Sequence, residues 1–571
     1  MARSNFFKFL IIMTGISLLF DFQKINLNSM YLLVYIPIMI AVYLLLNIPL
    51  KTVFLNKNIS YILSVILSLI TVGNVCGKLG IQFELINVCK LIVIIVGFTI
   101  LFEKTFQLLI QFSTEKNLIT DEKGISWKKS FFIIILGWVI YLLPFLPGNV
   151  AGDGNFQLIE YFGHAAMTNH HPFLSTMLEG GILNLGKHIL NDNFGLFLYV
   201  IIQLLICCLI YSYCIFKVST LGINKKIGIY FSIFIGFAPY WSFVSETLHK
   251  DGLFIAFFAL FITSLVMMSV NLFIRKRLIK KQLILLTVSA LLVCFWRNDG
   301  IYMVIPSIIC LIFVNKRKYW KTFTCSLLVL LSVYVAFNKV LLPALDVAPT
   351  EKREMLSLPV QQTSRYIKYY PNEITKNQRQ VLKETFNNST KLGELYNPNN
   401  ADPTKFNLKD QFNVKKYINI WIEMGLRHPF VYLAATFEGT NAYYTPWLLA
   451  QNFTWCGAIS DWSKPNFLDL HYITPKKLRS SFIGFVNGVA SLPFINMFLN
   501  DSLAIWLGIL MAAFMWRKFG FKYLIPIIPI FMNLLICIAS PVNGLIRYSG
   551  CVVFAIYILL TYYFYVLKFR N

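Results

Sequence analysis

Runs of about 20 apolar residues recur from one end of this chain to the other, and nothing else limits its fold as strongly. In hydrocarbon a run of that length satisfies its backbone only as a helix or as part of a closed barrel. The two-residue alternation of a barrel is absent. Composition agrees: 57% of the 571 residues are hydrophobic and 13% are charged, against roughly 25% charged in soluble domains. The sequence therefore specifies an all-α polytopic membrane protein with about 14 transmembrane helices. They fall near 6–20, 30–49, 59–76, 85–111, 131–146, 194–215, 227–244, 252–274, 282–296, 301–315, 322–343, 502–516, 523–539 and 548–567.

The formal net charge is +25. In a soluble chain that would point to nucleic acid; here the basic residues sit in short segments between spans, which excludes that reading. Lys51–Lys57, Lys128–Lys129, Lys225–Lys226, 274–281, 315–321, 517–522 and 568–571 then share one face, the cytoplasm, together with both termini. The stretch 481–500 would break this parity if it crossed, and Ser, Asn, Gly and Pro interrupt it, so it reads as an interfacial helix with a Pro break. The first apolar run lacks a small-residue cleavage site and reads as an uncleaved span. The cysteines lie mostly inside apolar runs without a CxxC, which suits core packing. The other face collects 147–193, Glu246–Asp251, Arg297–Asp299, a polar and mainly helical domain at about 345–480, Pro541–Arg547 and all seven histidines.

Five constellations on that face could carry chemistry. Asp153 lies in a Gly-Asp-Gly turn just after a span, with Glu160, His164, His170 and His171 following. Asn155 can cap a helix FQLIEYFGHAA, and Pro172 can start a second, PFLSTMLEGGIL. Held at headgroup depth, the Asp153 carboxylate could take a proton from an attacking hydroxyl; the alternative is a carboxylate that only caps its turn. The His pair with a carboxylate could ligate a divalent metal, but adjacent histidines seldom face one ion, so metal is the less favoured reading. Next, SETLHKDGLF (245–254) gathers Glu246, His249, Lys250 and Asp251 at one span end. Lys250, Arg297 in WRNDG and Arg547 in PVNGLIRY all stand on the face where the charge rule leaves cations scarce. Snorkelling explains single cases, but three such cations at span ends suit a phosphate at headgroup depth. Trp241, Tyr443, Tyr444, Trp447, Trp455 and Trp462 could stack on sugars or form an interfacial belt.

The ordered set LPGNVAGDGNFQL, NHHPFLSTML, SETLHKDGLF, WRNDGIY, SLPVQQTSRY, NPNNADPTK, HPFVYLAATFEGTNAYYTPW and PVNGLIRYSG, spread from about 130 to 570, resembles the bacterial DUF6020 group, which is related to the GT-C glycosyltransferases. The resemblance implies four regions: N-terminal helices 1–129 outside the wider superfamily, a GT-C-like core 130–344 with a catalytic outer loop 147–193, an extracytoplasmic domain with the interfacial helix at 345–500, and C-terminal helices 501–571. It implies a bacterial plasma-membrane enzyme with an extracytoplasmic active site, an essential acid at Asp153, and a polyprenyl-phosphate sugar donor whose phosphate is held by Lys250, Arg297 and Arg547. His170, His171, Glu246, Asp251, Gln361, Gln362 and Arg365 become the candidate substrate-binding residues. The first loop holds Asp-Gly-Asn (153–155) where metal-using members have Asp-x-Asp, so no cofactor is assigned and a divalent metal is not favoured. The expected acceptor is a glycan or cell-wall polymer such as a teichoic acid, and the lipid bilayer is the standing partner. A transporter or flippase of lipid-linked glycans would place charge at mid-membrane and show repeats. A polymerase or ligase would use a diphosphate-linked donor, and a non-enzymatic scaffold would tolerate loss of Asp153, Lys250 and Arg297 together.

Overall fold

The computed structural model describes residues 2–22, 30–50, 57–79, 85–115, 119, 124–445, 458–460, 463–492, 495 and 499–570. Trp447, Trp455, Trp462, Cys456 and the residues 51–56 lie outside the described residues. Among the described residues the chain is all-α apart from one two-residue strand pair, β1 (Asn149–Val150) and β2 (Thr247–Leu248), and isolated bridges.

Among the described residues, eight helices are long and apolar enough to cross a membrane. A ninth results if Lys225–Phe237 and Pro239–Ser245, bent by 56° at their junction, form one span. The multi-pass architecture follows; the described residues do not confirm the larger count of about 14. Ala2–Phe22 and Lys57–Leu79, at 21 and 23 residues, are long enough to cross, whereas Gly300–Val314 and Lys280–Trp296 have 15 and 17 residues. A hydropathy window registers apolar composition and does not register where a helix stops or bends. Within the stretch at 481–500, the helix Lys476–Ala490 ends before Pro493 and is not among the candidate spans.

The chain divides into two compact units. The first comprises Met1–Asn117, Met355–Thr445 and Ile538–Asn543. Its N-terminal part packs Ala2–Phe22 and Lys57–Leu79 against Leu85–Glu115. Lys90, which the sequence places inside an apolar run, pairs there with Asp21 at 3.0 Å, both partly exposed. Its polar part is helical: Ser357–Tyr369, Lys376–Thr385, Val414–Arg427 and Pro429–Thr440 enclose a core of Leu356, Val360, Tyr366, Leu382, Tyr417 and Met424.

The second unit comprises Leu118–Glu354, Pro446–Cys537 and Gly544–Asn571. Its centre is the helix Asp251–Ser269, continued by a π-turn at Val270–Ile274. This span is apolar on every side and buried throughout, the mark of a helix enclosed by other helices. Asp192–Ser219, Lys280–Trp296 and Ile546–Arg570 pack around it. Small residues set the closest approaches, as usual where helices meet in lipid. At Gly137 a Cβ would lie 2.0 Å from the Gly236 carbonyl oxygen.

Candidate active site

A strand pair of minimal length positions the acid. β1 runs parallel to β2, with Asn149 opposite Thr247 and Val150 opposite Leu248. The Asn149 amide donates to the Glu246 carbonyl at 3.0 Å. Tyr472 steadies the turn by donating its hydroxyl to Asn149 Oδ1 at 2.7 Å. Each strand leads straight into a helix, Gly152–Tyr161 after β1 and Asp251–Ser269 after β2. Parallel pairing therefore sets the two helix N-termini side by side, with Asp153 in the first turn of one and Asp251 in the first turn of the other. Both carboxylates sit where the helix dipole favours negative charge.

Two glycines of the turn are required by geometry. Gly148 has φ +137°, in the region that favours glycine. A Cβ on Gly154 would lie 2.4 Å from the Leu248 carbonyl oxygen, so only glycine lets this helix lie against β2. That contact also corrects the expected cap. Asn155 is not the N-cap; Ala151 is, and Asn155 lies buried inside the helix with its amide donating to the Ala151 carbonyl at 3.0 Å. Because the helix starts earlier than expected, Asp153 is a first-turn residue. The second helix, Phe173–Ile189, starts directly after Pro172.

The Asp153 carboxylate meets its partners on one oxygen. Oδ2 lies 3.1 Å from Arg547 Nη1, 3.2 Å from Lys250 Nζ and 4.0 Å from His171 Nδ1. No contact of Oδ1 with a described side chain accompanies these. Burial opposes ionisation of this carboxyl, but the charges of Arg547 and then Lys250 hold it well below the usual carboxylate range. Lys250 Nζ also donates to His171 Nδ1 at 2.8 Å. Burial and the neighbouring Lys250 push the His171 imidazole down to about 2, so it stays neutral and accepts. Its ring stacks on Phe156 and meets His170 edge-on.

The cations continue behind this pair. Arg547 opens the helix Ile546–Arg570, a position where the dipole disfavours a cation. Asp153 compensates it, and Asp251 stands 4.0 Å from its Nε. Arg547 Nη2 donates to the Tyr548 hydroxyl at 3.2 Å. Arg297 lies over the Tyr548 ring at 5.3 Å and over Phe254 at 4.8 Å, and pairs with Asp299 at 3.0 Å. Two buried guanidinium nitrogens, Arg547 Nε and Arg297 Nη1, have no hydrogen-bond acceptor among the described residues. His249 accepts the Asp251 amide on Nδ1 at 3.0 Å, which leaves the proton of a neutral ring on Nε2, 2.7 Å from the Asp251 carboxylate.

The other expected residues are placed as follows. Glu246 is fully buried, neither carboxylate oxygen has a hydrogen-bond partner among the described residues, and burial pushes its carboxyl well above the usual range. Glu160 accepts from Thr168 at 2.7 Å, and His164 stacks on Phe467. Gln361, Gln362 and Arg365 belong to the first unit and are engaged within it. Gln361 donates to the Asn397 carbonyl at 2.6 Å, Gln362 joins Thr436 and Trp421 at 2.9 Å each, and Arg365 pairs with Glu438 and Tyr396. Among the described residues no three His, Cys, Asp or Glu side chains form a group able to hold a metal.

Sequence reasoning missed Tyr548 and Glu179. Tyr548 follows Arg547 directly and joins it to Arg297, a role that only packing discloses. Glu179 is buried in the helix Phe173–Ile189 beside Gln157, whose amide, turned to suit its neighbours, donates to Glu179 Oε2 at 3.3 Å. Burial pushes this carboxyl well above its usual range, with Lys250 opposing. Its signal in the sequence was one acid in an otherwise uncharged stretch, PFLSTMLEGGIL.

No curated protein matches the chain. The profile of a family of unknown function, DUF6020, matches residues 162–568. The matched segment contains Lys250, Arg297 and Arg547 and begins after Asp153.

Proposed function

The chain belongs to the DUF6020 family, a family of unknown function, and we propose that it is a GT-C-type membrane glycosyltransferase. In this reading it moves a sugar from a polyprenyl-phosphate donor to an extracytoplasmic glycan or cell-wall polymer. The observation that carries the reading is the convergence of Lys250 and Arg547 on one oxygen of Asp153, at 3.2 and 3.1 Å, beside two buried guanidinium N–H groups that lack acceptors among the described residues. A buried donor without an acceptor costs about 1–3 kcal/mol, more when charged. A phosphate offers the oxygens that would satisfy such donors.

The chemistry follows from charge exchange. The donor phosphate takes Lys250 and Arg547, and Arg297 completes the cradle through Tyr548. Asp153 loses the partners that hold its proton affinity down, so the carboxylate becomes a better base when donor is present. An acceptor hydroxyl approaches Oδ1. Its oxygen bonds to the anomeric carbon, the bond from that carbon to the phosphate oxygen breaks, the lipid phosphate leaves with the electron pair, and Asp153 takes the hydroxyl proton. One such displacement inverts the anomeric centre. Positioning and neutralisation of the phosphate supply most of the rate.

The test is transfer by purified protein from polyprenyl-monophosphate and polyprenyl-diphosphate sugars. Monophosphate use by wild type and a loss of about 10²–10⁴-fold in Asp153→Asn are expected. Turnover only with the diphosphate donor would make the protein a polymerase or ligase. Wild-type turnover in Asp153→Asn would remove the base.

A further inference from the structure

The helices that begin at Asp251 and at Ile546 both start in the charged centre and run away from it. At about 1.5 Å per residue they carry Arg275 and Lys568 roughly 30 Å from Asp153, the thickness of a hydrocarbon core. There, inside the second unit, a cavity of about 610 Å³ opens at the far ends of these helices and of Asp192–Ser219. Arg275 and Lys568 line it together with Ser126, Thr220, Tyr565 and Phe569; no carboxylate is among its described lining residues.

Topology explains cations at this boundary. It does not explain why two of them line one concavity. A snorkelling side chain extends into water. Arg275 is exposed as well, but its guanidinium also lies 5.9 Å from the Tyr565 ring centroid, and its side-chain hydrogen bond among the described residues, to Asn271 Oδ1, is long at 3.4 Å. Among the described residues most of its donor fork is thus uncommitted. Lys568 Nζ reaches over the cavity to the Ile119 carbonyl at 3.3 Å. Ser126 Oγ accepts the Lys129 amide and keeps its O–H to donate. Cations, a hydroxyl donor and an apolar floor at the hydrocarbon boundary match a phosphodiester with acyl chains beneath it, and basic pockets between spans are sites for such headgroups.

We propose that this cavity binds the headgroup of an anionic phospholipid, with Arg275 and Lys568 on the phosphodiester oxygens. The site is separate from the Asp153 centre and stands whether or not the transferase reading does.

Native mass spectrometry and thermal melting of the purified full-length chain, titrated with phosphatidylglycerol, phosphatidylcholine or inorganic phosphate, test it. Wild type retains phosphatidylglycerol over phosphatidylcholine and melts higher with it. Arg275→Gln and Lys568→Gln each weaken that binding at least about tenfold. The wild-type mass spectrum reads bound lipid however the variants fold. Equal retention of the two lipids overturns the proposal, as does unchanged phosphatidylglycerol binding in folded variants. Full competition by inorganic phosphate at equal concentration assigns the site to a free anion and overturns the lipid.

Discussion

Asp153 gathers its cations on Oδ2 and leaves Oδ1 to one side. A carboxylate with that distribution can hold a phosphate-binding pair in place and still face a second reactant. Its legibility in the sequence was partial. The Gly-Asp-Gly turn and the three stranded cations were visible as residue types, and two of those cations, Lys250 and Arg547, do contact it. Arg297 does not contact it and joins through Tyr548. The depressed proton affinity of Asp153 makes a prediction about stability. A carboxyl lowered in the folded state contributes stability that is fully present above its unfolded value, near 3.9, and is lost as pH falls through the folded value. Asp153→Asn should therefore melt below wild type at pH 7, with the gap closing below about pH 4. A gap that persists unchanged at low pH would mean that the ion pairs do not stabilise the fold.

Elements, more than single residues, decide where the acid points. Two residues of parallel strand align two helix starts, and Gly154 lets one of them lie on the other's strand. Gly154→Ala should cost about 1–3 kcal/mol through overpacking against the Leu248 carbonyl, read as a lower melting temperature. Unchanged melting would show that the helix can shift freely. Neither the two-residue strand nor the Ala151 cap was readable from the sequence, because β1 depends on a partner about 100 residues away and the cap lacks a polar side chain. The helix Phe173–Ile189 adds a test of its own. Burial raises the Glu179 carboxyl, so the folded state holds a proton that the unfolded state releases as pH rises above about 4.3. Stability of wild type relative to Glu179→Gln, which cannot titrate, should then fall between pH 5 and pH 8. A difference that is flat across this window would contradict a protonated Glu179.

At the scale of the whole molecule, charge along the chain predicts its topology. The Lys-rich segments and both termini should share one side, and the polar segment near 345–480 should face the other. An epitope at the C-terminus should resist protease in intact cells, and one inserted at Asn397–Asn399 should be cut; the reverse pattern would overturn the orientation. The all-α multi-pass class followed from the sequence alone, because an apolar run about 20 residues long has few other ways to satisfy its backbone in lipid. The exact helix count was less legible, because where Gly300–Val314 and Lys280–Trp296 stop and the 56° bend at Pro239 depend on packing. The residue types available for chemistry were also legible, since each is a local statement about charge at the end of an apolar run. Only the tertiary structure decided which of them meet. Asp153 and Arg547 are 394 positions apart, and no local rule of spacing or propensity reaches across that distance. Long-range helix packing around the buried Asp251–Ser269 helix does so, because it brings the starts of three helices to one point.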